Sequence, residues 1–248
     1  MGGKAKSRKS RRNPNPAKKS GAKRLARGQS PSKRAIGSGL KESSARWLRR
    51  QARDPFVKAA KAQGYRSRSA FKLSEIDDGF KIFARGRAVV DLGAAPGGWS
   101  QVAAERVAAN TAHGGSVVAV DLNPLDPIPG VTVVCMDVES DAVVDEICRM
   151  APGGVDAVIS DMAPPATGHR ETDHVRTVAL ADAALAFALE VLKPGGAFVA
   201  KVTQGGSGKD LLVALQRRFS AVRHFKPKAS RKESPETYVV ATGLKSPN

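Results

Sequence analysis

The chain has 248 residues, 26% of them charged, with 41 Lys or Arg against 23 Asp or Glu and a formal net charge of +18. That length suits one substantial α/β domain with a buried core and is too short for two. Two cysteines, and four histidines without metal-ligand spacing, exclude a disulfide framework and a zinc site, and no apolar run reaches the roughly 18 residues that cross a bilayer.

Residues 1–40 hold 13 Lys or Arg and no Asp or Glu, so most of the net charge sits there. The stretch is too polar and too self-repelling to bury a core, which predicts a disordered basic arm able to collect phosphates. Residues 41–248 are expected to form a single domain. Its first part, 41–80, reads as two helical patterns, SSARWLRRQARDPFVKAAKAQG and RSRSAFKLSEIDD, interrupted by Pro55 and Gly64. After it, short β-branched runs alternate with helical stretches. RAVVDLG is followed by a helix from about Trp99, then SVVAVDL, VTVVCMDV, a helix near Asp141 to Arg149, and VDAVISDM. A long helix ending at KPGG comes next, then AFVAKV, a helix through Leu211 to Phe219, AVRHFKP and TYVVATG. Such alternation predicts a Rossmann-like, mostly parallel seven-stranded sheet with helices on both faces. The last two strands, 221–227 and 237–243, leave no room for a helix between them and predict an antiparallel hairpin at one side of the sheet.

The turn in VVDLGAAPGGWSQ, residues 89–101, follows a strand and opens a helix, so backbone N–H groups and a positive dipole end lie beneath whatever binds there. Trp99 stands where a triphosphate-binding loop needs Lys. Gly93, Gly97 and Gly98 have the spacing G-x-x-x-G-G and not that of a dinucleotide fingerprint, and Asp91 would repel a pyrophosphate. A cationic ligand without phosphate reverses that sign, and S-adenosylmethionine carries a sulfonium and an ammonium. Asp121 closes the next strand, where a carboxylate can accept both ribose hydroxyls, and Asp137 closes VTVVCMDV, within reach of an adenine amino group. A helix N-cap is the structural alternative for Asp137.

The segments Arg66-Ser67-Arg68 through Phe71-Lys72-Leu73, DLGAAPGGWSQ, Ser160-Asp161-Met162-Ala163-Pro164, Lys201 in FVAKV, and SPETYVVATG recur in an order that resembles the FtsJ-type (RrmJ-type) ribosomal RNA 2′-O-ribose methyltransferases, from about Trp47 to Leu244. The resemblance implies an S-adenosylmethionine-dependent methyltransferase fold and a catalytic tetrad of Lys72, Asp161, Lys201 and Glu236. It implies cofactor contacts at Gly97, Trp99, Asp121, Asp137 and Asp161, beside Asp91 and Gly93 from the turn itself. No metal is expected. The implied substrate is a uridine of large-subunit ribosomal RNA, met within a large subunit or its precursor by a cytoplasmic, monomeric enzyme. Transfer RNA is the alternative substrate inside the same fold, and a non-catalytic RNA-binding assembly factor is the alternative from another class. Pro165, after SDMAP, departs from the Asn common in the family.

A ribose 2′-hydroxyl is a weak acid, so the transfer needs alignment together with a base or a cation at the oxygen. Lys201 is expected to accept the proton; the rival role keeps it charged, as a donor that steers the oxygen. Arg46, Arg49, Arg50, Lys58, Lys61, Arg66 and Arg68, with Lys226, Lys228, Arg231 and Lys232, are candidate phosphate contacts. Only 5% of the chain is aromatic, which argues against extensive base stacking. An amino-group methyltransferase is disfavoured because Asp161-Met162-Ala163-Pro164-Pro165-Ala166 lacks the aromatic that holds a planar amine.

Overall fold

Pro55, expected to interrupt a helix, begins one. Helix α1 spans Pro55–Ala62, and the Asp54 side chain caps it by accepting from Phe56 N at 3.0 Å. A proline in the first turn forfeits no helical hydrogen bond and presets the backbone. Helix α2, Ala70–Phe80, starts later than the pattern RSRSAFKL suggests, because Arg66 is committed elsewhere. Its N–H donates to Gln101 Oε1 at 2.8 Å, and its guanidinium donates to the carbonyls of Asp126 and Pro127, each at 2.7 Å. The computed structural model describes residues 51–165, 167–203 and 209–246. The basic arm, the start of the first helical pattern through Arg50, and the GGSG turn at 205–208 lie outside them.

From there the chain runs β1 (Ala88–Leu92), α3 (Gly98–Val107), β2 (Ser116–Asp121), β3 (Val131–Cys135), α4 (Asp141–Met150), β4 (Val155–Ser160) and α5 (Arg170–Val191). It continues with β5 (Leu192–Thr203), α6 (Lys209–Arg218), β6 (Phe219–Phe225) and β7 (Glu236–Leu244). The strands form one seven-stranded sheet in the order β3-β2-β1-β4-β5-β7-β6. The β1–β2, β1–β4, β2–β3 and β4–β5 pairs are parallel, and β7 is antiparallel to both neighbours, so the expected sheet and terminal hairpin are present. Strand β5 begins at Leu192 and takes in the KPGG expected to end a helix, and its register with β4 shifts between Val155 and Ala157.

Because successive strand residues point to opposite faces, the apolar runs feed two cores. Val90, Leu92, Val120, Val158, Phe198, Ala200 and Val239 pack with residues of α4, α5 and α6 on one face. Val89, Val117, Ala157, Ile159, Ala197, Val199, Tyr238 and Val240 pack with Leu73 and Ile76 of α2 and Trp99, Val102 and Val107 of α3 on the other. The second face governs the site.

Candidate active site

Strand parity and register bring four separated residues together. Ser160 on β4 is level with Ala200 on β5, so Asp161 and Lys201 are neighbours at the carboxyl edge of the parallel strands. Lys201 is level with Tyr238 on β7, and Thr203 with Glu236. Asp161, Lys201, Glu236 and Tyr238 therefore share the face that α2 and α3 cover. Helix α2 supplies the fifth polar member, Lys72, which is only 7% exposed.

The resulting cluster is closely connected. Lys201 Nζ lies 2.7 Å from Asp161 Oδ1 and donates to the Asp161 carbonyl at 2.8 Å. Lys72 Nζ pairs with Glu236 Oε1 at 2.6 Å, and Lys201 reaches Glu236 Oε2 at 3.8 Å. Tyr238 stands among them: its hydroxyl donates to Asp161 Oδ1 at 2.7 Å and accepts from Lys72 Nζ at 3.1 Å. Burial alone would raise the Asp161 carboxyl, but the charges of Lys201 and Lys72 and the hydrogen bonds from Lys201 and Tyr238 outweigh it and hold it below the usual carboxylate range. The Tyr238 phenol is pushed well above its ordinary value, first by burial and then by the charges of Asp161 and Glu236. It serves as a neutral hydrogen-bond bridge. Sequence reasoning misses Tyr238, although it stands two positions after Glu236 on the same strand face.

Beside the cluster a cleft of about 660 Å³ opens at the strand ends, with Gly93, Asp121, Asp137, Asp161, Leu122 and Met162 among its walls. Asp121, the last residue of β2, is held by both oxygens: Oδ2 accepts from Ala95 N at 2.9 Å and Oδ1 from Asn123 N at 2.7 Å. Gly93 has φ +70°, and a Cβ there would meet Met162 Cγ at 2.3 Å, so the turn needs glycine for conformation and space. Asp137 lies two residues past the end of β3 and does not close it. Its Oδ1 accepts from Glu139 N at 3.0 Å, while Ser140 is the N-cap of α4, which removes the helix-cap reading.

The other three expected cofactor residues lie around the same glycine turn. Gly97, at φ +106°, makes the turn into α3, where a Cβ would come within 2.7 Å of Ile128. The Trp99 indole is buried, donates to the Ser69 carbonyl at 2.9 Å and packs 5.5 Å from the Tyr238 ring, so its side chain supports the cluster from behind. Asp91 is fully buried; its Oδ2 accepts from Ser100 Oγ at 2.6 Å, and its Oδ1 has no hydrogen-bond partner. It sits one residue inside β1, below the edge where Asp121 and Asp161 emerge.

Burial pushes the Asp91 carboxyl up to about 7, against the Ser100 hydrogen bond and with help from the charges of Asp161 and Asp121. The folded chain then binds more protons than the unfolded chain between 3.8 and about 7, so this group's contribution is full at low pH and is lost as pH rises through that window. Asp91→Asn cannot ionise. It is expected to gain on the wild type by about 1–3 kcal/mol between roughly pH 5 and pH 8, the scale of an unpaired buried acceptor. Urea unfolding at the two pH values measures the gap, and a gap that does not change with pH refutes the assignment.

Comparison with known proteins adds a lineage to this geometry. A profile described as FtsJ-like methyltransferase matches residues 65–244. The chain is 55% identical over 203 residues to the "Ribosomal RNA large subunit methyltransferase E" of Granulibacter bethesdensis, covering 82% of this chain and 86% of that protein. It is 53% identical over 206 residues to the protein of the same name from Rhodopseudomonas palustris, covering 83% and 87%. A crystal structure named for a ribosomal RNA methyltransferase of Plasmodium falciparum superimposes with a TM-score of 0.65 at 26% identity, covering 74% of this chain and all of that one.

Proposed function

Because the chain belongs to the FtsJ-like methyltransferase family, we propose that it transfers a methyl group from S-adenosylmethionine to the ribose 2′-hydroxyl of a uridine in large-subunit ribosomal RNA. The observation that carries the reading is the meeting of two Lys–carboxylate pairs, Lys72–Glu236 and Lys201–Asp161, at the mouth of an acid-lined cleft.

The cleft fits the methyl donor. Carboxylates at Asp121, Asp137 and Asp161 suit a ligand with positive charge and a ribose and would repel phosphates, and Leu122 and Met162 offer apolar surface for a base. When bound, S-adenosylmethionine supplies an electrophilic methyl on a sulfonium. Asp121 would hold its ribose, Asp137 its adenine edge and Asp161 its positively charged end, with the Gly93 backbone close by.

The remaining chemistry belongs to the cluster. Lys201 is proposed to accept the proton of the 2′-hydroxyl as the uncharged amine, after giving its own proton to solvent, and Asp161, kept ionised, fixes the position of Lys201 through two contacts at Oδ1 and the carbonyl. Lys72, held by Glu236 and Tyr238, places a second cation next to the developing oxyanion. The substrate is proposed to be met within a large ribosomal subunit or its precursor, in the cytoplasm, by a single copy of the protein.

Labelled methyl transfer tests the reading. Large subunits from cells lacking the gene are expected to gain one 2′-O-methyluridine with the wild-type protein and none with Lys201→Ala. Label appearing only in transfer RNA would redirect the substrate assignment. Equal incorporation by both proteins would overturn the assignment of the site.

A further inference from the structure

A second cleft, of about 590 Å³, has Arg53, Arg68, Lys228, Arg231 and Lys232 among its walls and shares no lining residue with the acid-lined one. Among the described residues, Asp54 and Glu233 are the only carboxylates lining it, so cations outnumber them five to two. Its wall is preassembled. Glu75 on α2 accepts the backbone N–H groups of Lys228 and Ala229 at 2.6 and 2.9 Å, clamping the β6–β7 loop to the helix that carries Lys72. Arg68 donates to the Ala229 carbonyl, and both Arg68 and Arg231 lean on Asp54, at 3.1 and 3.5 Å. Ser230, 5% exposed, donates from its hydroxyl to Glu236 Oε1 at 2.9 Å. One residue of the cleft wall thus touches the carboxylate that holds Lys72.

We infer that this cleft seats a phosphodiester of the RNA strand, adjacent to the nucleotide whose 2′-hydroxyl is presented to Lys201. The inference rests on the reading of the protein as an RNA methyltransferase and adds where the strand is gripped. A polymer whose reacting sugar lies at the cluster carries its neighbouring phosphates on both sides. The acid-lined cleft repels them, and the cationic cleft, joined to the cluster through Ser230 and Glu236, offers Arg and Lys heads. The geometry also sorts the basic residues expected to contact phosphate. Arg66 is spent on the carbonyls of Asp126 and Pro127, and Lys226 on that of Ser234 at 2.7 Å, so both hold the fold. Lys228 and Lys232, by contrast, project from a loop fixed through its backbone.

The double variant Lys228→Gln/Lys232→Gln tests the seat without touching Asp54, Glu75 or the cluster. Binding of a short single-stranded RNA, followed by fluorescence anisotropy across a salt series, is expected to weaken about tenfold, with the salt slope shallower by roughly 0.7 for each phosphate no longer neutralised. A 2′-deoxy oligonucleotide is expected to lose affinity to the same extent, because the seat reads phosphate and not the sugar. In the methylation assay KM for RNA should rise with kcat within about twofold, the pattern of lost uniform binding. Unchanged affinity for S-adenosylmethionine checks the fold, and Arg149→Gln on the distant end of α4 serves as the charge control, expected to match the wild type. Wild-type affinity and salt slope in the double variant overturn the seat. The binding measurement needs no methyl transfer. A wild-type protein that fails to methylate ribosomal RNA therefore counts against the proposed reaction, while the oligonucleotide alone decides the role of the cleft.

Discussion

Lys201→Ala is expected to lower the rate of methyl transfer by about 10²–10⁴-fold, the range that one positioned proton-transfer group contributes. The side chain ends at the carboxyl edge of β5, against Asp161 and level with Tyr238, where Lys72 cannot take its place: it is tied to Glu236 and to the Tyr238 hydroxyl. Initial rates with labelled donor measure the loss, and an unfolding curve close to the wild type assigns it to chemistry. Lys201→Arg then separates the two roles. A guanidinium stays protonated, so activity retained within about tenfold removes the proton-acceptor role and leaves a charged donor that steers the oxygen.

Lys72→Ala is expected to cost stability as well as activity. It strips the 2.6 Å partner from Glu236 and the donor from the Tyr238 hydroxyl, and leaves the Glu236 carboxylate to Ser230 and a more distant Lys201. The loss should be about 3 kcal/mol, the lower end for a broken buried ion pair, because the Glu236 side chain keeps 19% of its exposure. Denaturant unfolding reads it as a lower midpoint at constant slope. Lys72→Ala/Glu236→Gln should recover at least about 1 kcal/mol of that loss, since the two positions are in contact and their effects do not add. Additive losses would show that the pair is not coupled.

The strand order and the cluster differ in how far the sequence reveals them. Asp161 and Lys201 are legible because each ends an apolar run whose neighbours alternate between two cores, and the 160–200 register then places them side by side. Lys72 is invisible to the same reasoning. A lysine on a helix looks like a solvated charge, and only the tertiary approach of α2 to β7 buries it; the resemblance to a family is what locates it. Asp91 shows how one position matters. Leu92 still follows it within β1, and the Asp91 carboxyl is fully buried against Ser100, a depth that the run VVDLG does not encode. Trp99 and Tyr238 are hidden by distance along the chain: their mutual packing joins two remote segments, which no local pattern encodes. Pro55 is a matter of local chemistry, since the preceding Asp54 makes it a helix start.

Strand β7 is the last element among the described residues but an interior strand of the sheet, flanked by β5 and β6. During synthesis the edge of β5 from Ala197 to Thr203 must therefore wait, with its hydrogen-bonding groups unpaired, until the final strand has left the ribosome. An unpaired edge of apolar residues is a template for aggregation. The same strand delivers Glu236 and Tyr238, so a chain stalled before it would be both sticky and inactive, and closure of the sheet and completion of the active site become one event.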